Sequence, residues 1–219
     1  MLDASSGLGY GTADLRERGF NIEDVEPYQS EERKKNNPAT YSSYEDVKGD
    51  YDVIISNAVL NVIPDDWRAD VLHNMADKLK IGGKMVINVR GAESIKNQGK
   101  EGVTKITLDN PSEILVLRPN GSIRAYQKGF TKQELKEWCE KELGDGYSVE
   151  IATKKNAGDS YDTAVVVTRN NESTAHSTQV VNEKNSGTKG LAAVVVTKEG
   201  KERTIEELFN ELHKITDKN

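Results

Sequence analysis

The stretch M-L-D-A-S-S-G-L-G-Y-G, residues 1–11, decides how the rest of the chain is interpreted. Residues 1–4 have the composition of the end of a buried strand, and a glycine-rich run follows at once. Glycine lets a backbone turn sharply and approach a ligand closely. A strand, a glycine-rich turn and a helix in this order are typical of α/β domains that bind a cofactor. Only two residues precede Asp3, whereas a strand usually has about five or six, so we expect a truncated first strand.

Beyond this turn the chain alternates strand-like and helix-like segments. β-branched or alternating apolar residues predict strands at residues 20–26, 39–43, 51–56 and 84–89. Helices are predicted at residues 12–18 and 30–37, and from Pro64 to the pair Gly82-Gly83. The longest of these helices has one apolar face, formed by Trp67, Val71, Leu72, Met75 and Leu79. Such alternation predicts a mostly parallel sheet with helices on both faces.

Residues 91–128 interrupt this alternation. Two strand-like runs, 114–118 and 122–126, flank the pair Asn120-Gly121, which predicts a β-hairpin. After the insertion, T-K-Q-E at residues 131–134 is a capping box that opens a helix. The apolar face of that helix comprises Leu135, Trp138, Cys139 and Leu143, which we assign to the core, like Trp67. Two last strands are predicted at residues 147–153 and 164–168.

The C-terminal part of the chain differs in composition. Residues 170–189 are rich in Asn, Ser and Thr and predict a flexible linker. Residues 190–219 contain a strand-like run at 191–197 and a second capping box from Thr204 that opens a helix. One strand and one helix are too small to bury a core of their own. We therefore expect a main domain over residues 1–169, a linker, and an appendage over residues 190–219.

Composition and charge narrow the class of protein. The 219 residues carry a formal net charge of -6, which opposes a free-standing nucleic-acid binder because such proteins neutralise phosphates. Cys139 is the only cysteine and the three histidines are scattered, so neither an internal disulfide nor a cysteine-type zinc site is expected. No apolar stretch is long enough to span a bilayer, and no signal peptide is evident. These features predict a soluble, cytoplasmic protein without a metal or a membrane partner.

Two acidic residues flank the glycine-rich turn in the predicted fold. Asp3 precedes the turn directly, and Glu26 ends the second predicted strand, 17 residues after Gly9. A carboxylate at the second position can accept hydrogen bonds from both hydroxyls of a ribose. Dinucleotide-binding domains place a pyrophosphate over a similar turn, but an acid directly before the turn suits an ammonium group better. A nicotinamide cofactor is therefore the less favoured alternative.

Two further segments complete a recognisable pattern. They are S-N-A-V-L-N-V-I-P at residues 56–64 and K-I-G-G-K-M-V-I-N-V at residues 80–89. With the acid, the glycine turn and Glu26, they resemble the class I S-adenosylmethionine-dependent methyltransferases over residues 1–90, and residues 130–168 resemble that family in element order. The resemblance implies an α/β, Rossmann-like methyltransferase fold with a hairpin insertion after the fifth strand, and S-adenosyl-L-methionine as cofactor. The implied cofactor-binding residues are Asp3, Ser5, Gly7, Gly9, Glu26, Ser43, Tyr44 and Asn57.

The chain departs from the family pattern at two places. Ser5 replaces the first glycine of the turn, where a serine can fit if its backbone angles are ordinary. The acid usual after the third strand is absent, which leaves Ser43 and Tyr44, with the neighbouring Glu45 and Asp46, as candidates for an adenine contact. The site residues also have structural interpretations. Asp3 could cap a turn, Glu26 could be a solvated strand-end charge, and Asn57 and Asn61 could be structural amides.

The acceptor side is expected in the insertion, because ligands bind at the carboxyl ends of parallel strands. The candidate substrate-binding residues are Asn61, Arg118, Arg124, Tyr126, Gln127 and Lys128. Residues 125–130 resemble methyltransferase domains of bacterial mobile elements and DNA-modification loci, which favours DNA or another nucleic acid as acceptor. A solvated hairpin face explains the same basic residues.

No catalytic residue can be assigned from the sequence. The segment after the fourth predicted strand lacks the Asp/Asn-Pro-Pro-Tyr pattern, and no Pro-Cys nucleophile is present. The chain is therefore predicted to transfer a methyl group from S-adenosylmethionine to an unidentified acceptor. The alternative is a degenerate or truncated methyltransferase-fold module that binds rather than catalyses.

Overall fold

The computed structural model describes residues 1–97, 105–153 and 163–171, together with the strands at 194–196 and 202–204. The chain forms two compact units, Met1–Leu117 with Ile123–Ser177, and Arg118–Ser122 with Thr178–Asn219. Most of the predicted linker and the helix predicted after Thr204 lie outside the described residues.

In the first unit, strands and helices alternate along the chain. The elements are β1 (Leu2–Ala4), α1 (Tyr10–Glu17), β2 (Glu23–Val25), α2 (Glu31–Asn36), β3 (Tyr51–Asn57), α3 (Asp65–Ala76), β4 (Leu79–Val89), α4 (Ala92–Asn97), β5 (Lys105–Thr107), β6 (Glu113–Leu117), β7 (Ile123–Lys128), α5 (Lys132–Leu143), β8 (Tyr147–Ile151) and β9 (Thr163–Arg169). In the second unit, β10 (Val194–Val196) pairs antiparallel with β11 (Glu202–Thr204). Residues 118–122 of that unit form a turn in which the Arg118 amide donates to the Ser122 carbonyl, 2.8 Å away.

The main sheet has six strands in the order β2-β1-β3-β4-β9-β8. The first four are parallel, and β9 runs antiparallel to both of its neighbours. Because parallel strands end at one edge, the segments that follow β1, β2, β3 and β4 meet there. The mostly parallel Rossmann-like sheet predicted from the sequence is confirmed.

The core lies on the faces of this sheet. Its centre consists of apolar side chains that are 0% exposed, among them Leu2, Ile54, Leu72, Met85 and Val165. α5 contributes Leu135, Cys139 and Leu143 to the same cluster, with Trp138 packed against it. The helix begins with the predicted capping box, since the Thr131 hydroxyl accepts from the Glu134 amide and the Glu134 carboxylate accepts from the Thr131 amide. The core role assigned to these residues is correct.

Two boundaries differ from the sequence prediction. The third predicted strand is reduced to a single bridge between Val25 and Tyr41, so the insertion follows the fourth strand of the chain rather than the fifth. α3 ends at Ala76, and Leu79 opens β4 instead of closing the helical face. The pair Gly82-Gly83 therefore lies within β4, where a Cβ on Gly83 would be 2.9 Å from the Tyr51 carbonyl oxygen.

The insertion forms a small sheet of its own. β6 and β7 pair as the predicted hairpin, and β5, which the sequence did not predict, adds a third antiparallel strand. α4 precedes this sheet and buries Ile95 against Ile114 and Val116. The exit of the hairpin returns to the main sheet through hydrogen bonds to the segment after β4, including Phe130 N to Arg90 O at 3.0 Å.

Candidate cofactor and acceptor site

The glycine-rich turn after β1 has three residues in the left-handed region of backbone space. Ser5 has φ 60°, Gly7 has φ 57° and Gly9 has φ 77°. Glycine adopts this conformation freely, whereas a residue with a side chain pays roughly 1–2 kcal/mol. Ser5 therefore does not have the ordinary backbone angles under which a serine fits this turn without strain. Its hydroxyl lies 3.1 Å from the buried Tyr44 hydroxyl, a contact that glycine could not make.

The space around Gly7 differs from the space around Gly9. A Cβ on Gly9 would lie 2.6 Å from Asn37 Nδ2 and 3.0 Å from Arg33 Nη2, so α2 and the residue after it occupy that space. A Cβ on Gly7 would meet nothing within 4 Å. The turn is thus packed against α2 at Gly9 and has open space beside Gly7.

The Glu26 carboxylate lies under the turn, just after β2. It is only 7% exposed, which rules out a solvated strand-end charge. Oε2 accepts a hydrogen bond from the Gly7 amide at 2.7 Å, and Oε1 accepts one from the Tyr28 amide at 3.0 Å. An ionised carboxylate has about four acceptor positions. Each oxygen therefore retains capacity for a further donor.

Asp3 lies at the end of β1, on the neighbouring strand. Its Oδ2 accepts a hydrogen bond from the Thr12 hydroxyl of α1 at 2.6 Å. Burial raises the pKa of Asp3 above its ordinary value of 3.8, although the bond from Thr12 acts in the opposite direction. The nearby carboxylates Asp24 and Glu26 raise it further. A cation beside Asp3 would favour its ionised form, so this position suits a positively charged ligand group.

Beneath the turn lies an ionic cluster that the sequence did not reveal. Asp24, 1% exposed, forms ion pairs with Arg16 and Arg33. Although burial raises its pKa, hydrogen bonds from Thr40, Ser6 and Arg16 hold the pKa of Asp24 below the ordinary value. α2 has the sequence E-E-R-K-K-N, which is polar throughout, so nothing local marks Arg33 as a buried residue.

The side chains of Ser43 and Asn57, both predicted to contact the cofactor, form hydrogen bonds with other residues of the chain. The Ser43 hydroxyl closes a turn with Asp46, at 3.0 Å from its carboxylate and 3.2 Å from its amide. Asn57 ends β3, and its Oδ1 accepts a hydrogen bond at 2.7 Å from Nδ2 of Asn88 on β4. Tyr44, by contrast, lies with Ser5 beside the turn, where burial raises its pKa to about 12.

Three side-chain amide oxygens, one after the end of β3, one near the end of β4 and one on β7, accept no hydrogen bond. They are the side-chain oxygens of Asn61, Asn88 and Gln127, all buried as atoms. Asn61 as a whole is 2% exposed. Its carbonyl accepts from the Lys128 amide at 2.7 Å, which brings the segment after β3 next to the exit of the hairpin. Buried polar atoms nearly always have partners, so these unpaired oxygens mark a candidate acceptor site.

Arg68, 2% exposed, holds this region together. It donates to the carbonyls of Leu60 and Ile63 at 2.7 Å each, forms an ion pair with Asp65, and lies 5.2 Å from the centre of the Phe130 ring. Its contact with the Tyr126 hydroxyl, at 3.4 Å, reaches β7 of the insertion. The sequence prediction missed Arg68 because its partners are carbonyls and a distant ring.

The basic residues predicted to bind substrate differ in their surroundings. Lys128 forms ion pairs with Glu113 at 3.2 Å and Asp65 at 3.5 Å, which offset its charge. Arg124 is exposed on β7. Arg118 belongs to the second unit, where its guanidinium donates to the Ser122 hydroxyl at 3.3 Å. Of the predicted acceptor residues, Asn61 and Lys128 are joined by a backbone hydrogen bond, and Tyr126 contacts Arg68, which donates to the Leu60 carbonyl. Gln127 lies between Tyr126 and Lys128 on β7, where alternation turns its side chain to the opposite face.

Within the part of the chain that the structure describes, no group of three or more His, Cys, Asp or Glu residues has a metal-binding arrangement. Over the same residues, no helix has the length and hydropathy needed to cross a membrane.

Three solved structures with the same fold are distant from this chain in sequence. DesVI from Streptomyces venezuelae is 14% identical, with a TM-score of 0.53, and the match covers 77% of this chain and 82% of DesVI. The sugar N-methyltransferase KedS8 from Streptoalloteichus sp. is 16% identical, with a TM-score of 0.50 and coverage of 77% and 78%. The PH0226 protein from Pyrococcus horikoshii is 14% identical, with a TM-score of 0.53 and coverage of 77% and 80%. No curated protein sequence matches significantly.

A family match covers the larger part of the chain. Residues 1–142 match the family described as "Methyltransferase domain". These residues include the glycine turn, both acids, the insertion and nearly all of α5. The chain therefore belongs to the methyltransferase domain family and is an S-adenosylmethionine-dependent methyltransferase.

Proposed function

We propose that the turn after β1, with Asp3 and Glu26, binds S-adenosylmethionine, and that the acceptor is an amine held at the end of β3. The observation that carries the cofactor part is the buried Glu26 carboxylate, which lies beside the turn and retains acceptor capacity on both oxygens. Two ribose hydroxyls are donors of matching number and type.

The other groups around the turn fit the same cofactor. Asp3 supplies negative charge for the methionine ammonium group. Burial raises the pKa of Asp3 and the charge of Arg33 only partly offsets this, so a bound cation would further favour the ionised carboxylate. The open space beside Gly7 lets a ligand approach the backbone. Tyr44 and Ser5 border the turn on the side assigned to adenine. Asn57 and Gly9 stay part of the proposed set as neighbours that shape the site, whereas Ser43 is held in its own turn.

S-adenosylmethionine, when bound, supplies an electrophilic methyl group, so the protein mainly has to orient the acceptor and exclude water. The unpaired oxygens of Asn61, Asn88 and Gln127 can each accept one or two N–H bonds. An amino group bound in this way is held by its hydrogens and keeps its lone pair free. A neutral amine also needs no strong catalytic base, which agrees with the absence of an assignable base in the sequence.

DNA or another nucleic acid is the second candidate acceptor. It is favoured by the exposed Arg124 on the hairpin and by the resemblance of residues 125–130 to mobile-element and DNA-modification methyltransferases. We rank it lower because phosphate binding requires uncompensated cations. Lys128 is already paired with two carboxylates, and the net charge of the chain is -6.

The cofactor part is tested by calorimetry with S-adenosylmethionine and S-adenosylhomocysteine, using Asp3→Ala and Glu26→Ala as variants. We expect micromolar binding by the natural chain and its loss in both variants. A folded, monodisperse protein that binds neither compound would contradict the proposed site and support the degenerate binding module.

The acceptor part is tested by release of S-adenosylhomocysteine with matched probe pairs. Each pair contains an amine and the corresponding hydroxyl compound, such as an amino sugar with its parent sugar or an aromatic amine with its phenol. Duplex and single-stranded DNA form the nucleic-acid arm. We expect turnover with amine members only, and its loss in Asn61→Leu, which keeps the size of the side chain. Turnover of DNA that falls in Arg124→Gln would instead support the second candidate.

A further inference from the structure

The turn is fixed to α2 through its backbone as well as its side chains. Arg33, 3% exposed, donates from one guanidinium nitrogen to the Gly7 carbonyl and from the other to the Ser6 hydroxyl at 2.9 Å. The amide of Gly7 donates to the Glu26 carboxylate. Gly7 is therefore held from α2 by its carbonyl and from the end of β2 by its amide.

Asp24 links this arrangement to the sheet. Its Oδ2 accepts from both Arg33 and Ser6, and its Oδ1 accepts from Arg16 and Thr40. Each side of the carboxylate has one arginine and one hydroxyl, and Oδ1 also accepts from the Thr40 amide at 2.9 Å. The residues on the two sides differ in their other contacts. Arg33 and Ser6 belong to the turn side, whereas Arg16 donates to the Ile22 carbonyl and Thr40 lies after α2.

We propose that Arg33 is a positioning residue for the cofactor turn: by binding the Gly7 carbonyl and the Ser6 hydroxyl together, it sets the turn in the form that accepts S-adenosylmethionine. The proposal rests on the cofactor site proposed above. It assigns to α2 a role that its polar sequence does not suggest.

The planar guanidinium is essential to this role. Arginine carries five N–H donors in a fixed fork, whereas the lysine ammonium is a point charge on a flexible stem. Lysine at position 33 would preserve the charge opposite Asp24, but could not hold Gly7, Ser6 and Asp24 in the same geometry. Arg33→Lys therefore keeps the positive charge at position 33 and removes the geometry of the guanidinium hydrogen bonds.

The test compares Arg33→Lys with Arg16→Lys, its counterpart on the other side of Asp24. Dissociation constants for S-adenosylhomocysteine are measured by calorimetry, and backbone exchange of the turn by hydrogen–deuterium mass spectrometry. We expect Arg33→Lys to weaken binding at least about tenfold and to increase exchange in the peptide containing Gly7. Arg16→Lys should leave both quantities close to those of the natural chain.

If Arg33→Lys does not fold, the matched pair becomes Ser6→Ala and Thr40→Ala. Each removes one hydroxyl that accepts from an arginine and donates to Asp24. We then expect weaker binding and faster exchange in Ser6→Ala only. Equal effects within the pair, or no effect in either, would overturn the role of Arg33. Failure of the natural chain to bind would instead overturn the proposed cofactor site.

Discussion

Replacing Glu26 with glutamine tests the assignment on which the cofactor site depends most. In the natural chain, both carboxylate oxygens face backbone N–H donors, from Gly7 at 2.7 Å and Tyr28 at 3.0 Å. Glutamine is nearly isosteric, but it offers one oxygen and one NH₂ group. One of the two amides would therefore keep its acceptor, and the other would face a donor.

The size of the effect follows from these two bonds. A hydrogen bond to a charged group contributes about 1.5–3 kcal/mol, and its loss at a buried site leaves the donor unpaired. We expect Glu26→Gln to lower the free energy of unfolding by about 2 kcal/mol. For a chain of this size, 1 kcal/mol corresponds to about 2–4 °C in Tm, so Tm should fall by about 4–8 °C. Loss of one charged acceptor for the ribose should weaken S-adenosylhomocysteine binding by about tenfold to a hundredfold.

The matched control is Glu23→Gln, at the start of β2. Glu23 accepts hydrogen bonds from the hydroxyls of Tyr41 and Tyr51, at 3.2 and 2.7 Å, and does not contact the turn. Thermal unfolding and calorimetry are measured for both variants. Glu23→Gln should change stability only. Unchanged affinity in a folded Glu26→Gln variant, or an equal loss of affinity in the control, would refute the reasoning.

Three further predictions concern other buried groups. Burial raises the pKa of Asp3, so protonation of Asp3 favours the folded state. This contribution to the free energy of unfolding is lost as pH rises through the raised pKa. Asp3→Asn should therefore raise Tm at neutral pH while weakening S-adenosylmethionine binding, and a lower Tm would contradict this assignment. Arg68→Met removes the donor to the carbonyls of Leu60 and Ile63, while the exposed Asp65 keeps Lys128, so chemical denaturation should show a loss of about 1–3 kcal/mol; a loss near zero would show that Arg68 does not hold the region. The Cys139 thiol is fully buried and its pKa is raised by burial, so iodoacetamide should modify it only after unfolding; mass spectrometry of the native protein checks this.

The sequence predicted those parts of the fold that depend on local pattern. The β-branched runs of β3 and β9, the capping box of α5 and the Asn-Gly hairpin each specify one element within a few residues. The positions of Asp3 and Glu26 beside the turn could be predicted because they are fixed relative to strand ends, and their role in cofactor binding stays a prediction. Their surroundings could not be predicted, since the partners of Glu26 come from two separate segments.

The sequence prediction failed for one strand and for two buried arginines. Residues 39–43 have weak strand character, and only Tyr41 pairs with β2, so composition overestimated that strand. Arg33 is buried because the Gly7 carbonyl and the Asp24 carboxylate, from other segments, satisfy its N–H groups. Arg68 is buried because it donates to the carbonyls of Leu60 and Ile63 in the loop before its own helix. Arginine is nearly always exposed unless it is paired. A prediction from local pattern alone therefore places both residues at the surface.

The two departures from the family pattern are physically connected. Ser5 stands where the family has glycine, and the Tyr44 segment stands where it has an acid, yet their hydroxyls lie 3.1 Å apart. Glycine at position 5 would relieve roughly 1–2 kcal/mol of left-handed strain. It would also leave the hydroxyl of Tyr44 buried without this partner, at a cost of about 1–3 kcal/mol. The relief of strain and the loss of the hydrogen bond are similar in size, so the effect of each residue on the turn depends on the other. Ser5 and Tyr44 act as one unit, in which strain in the turn is offset by a hydrogen bond to the side of the site assigned to adenine.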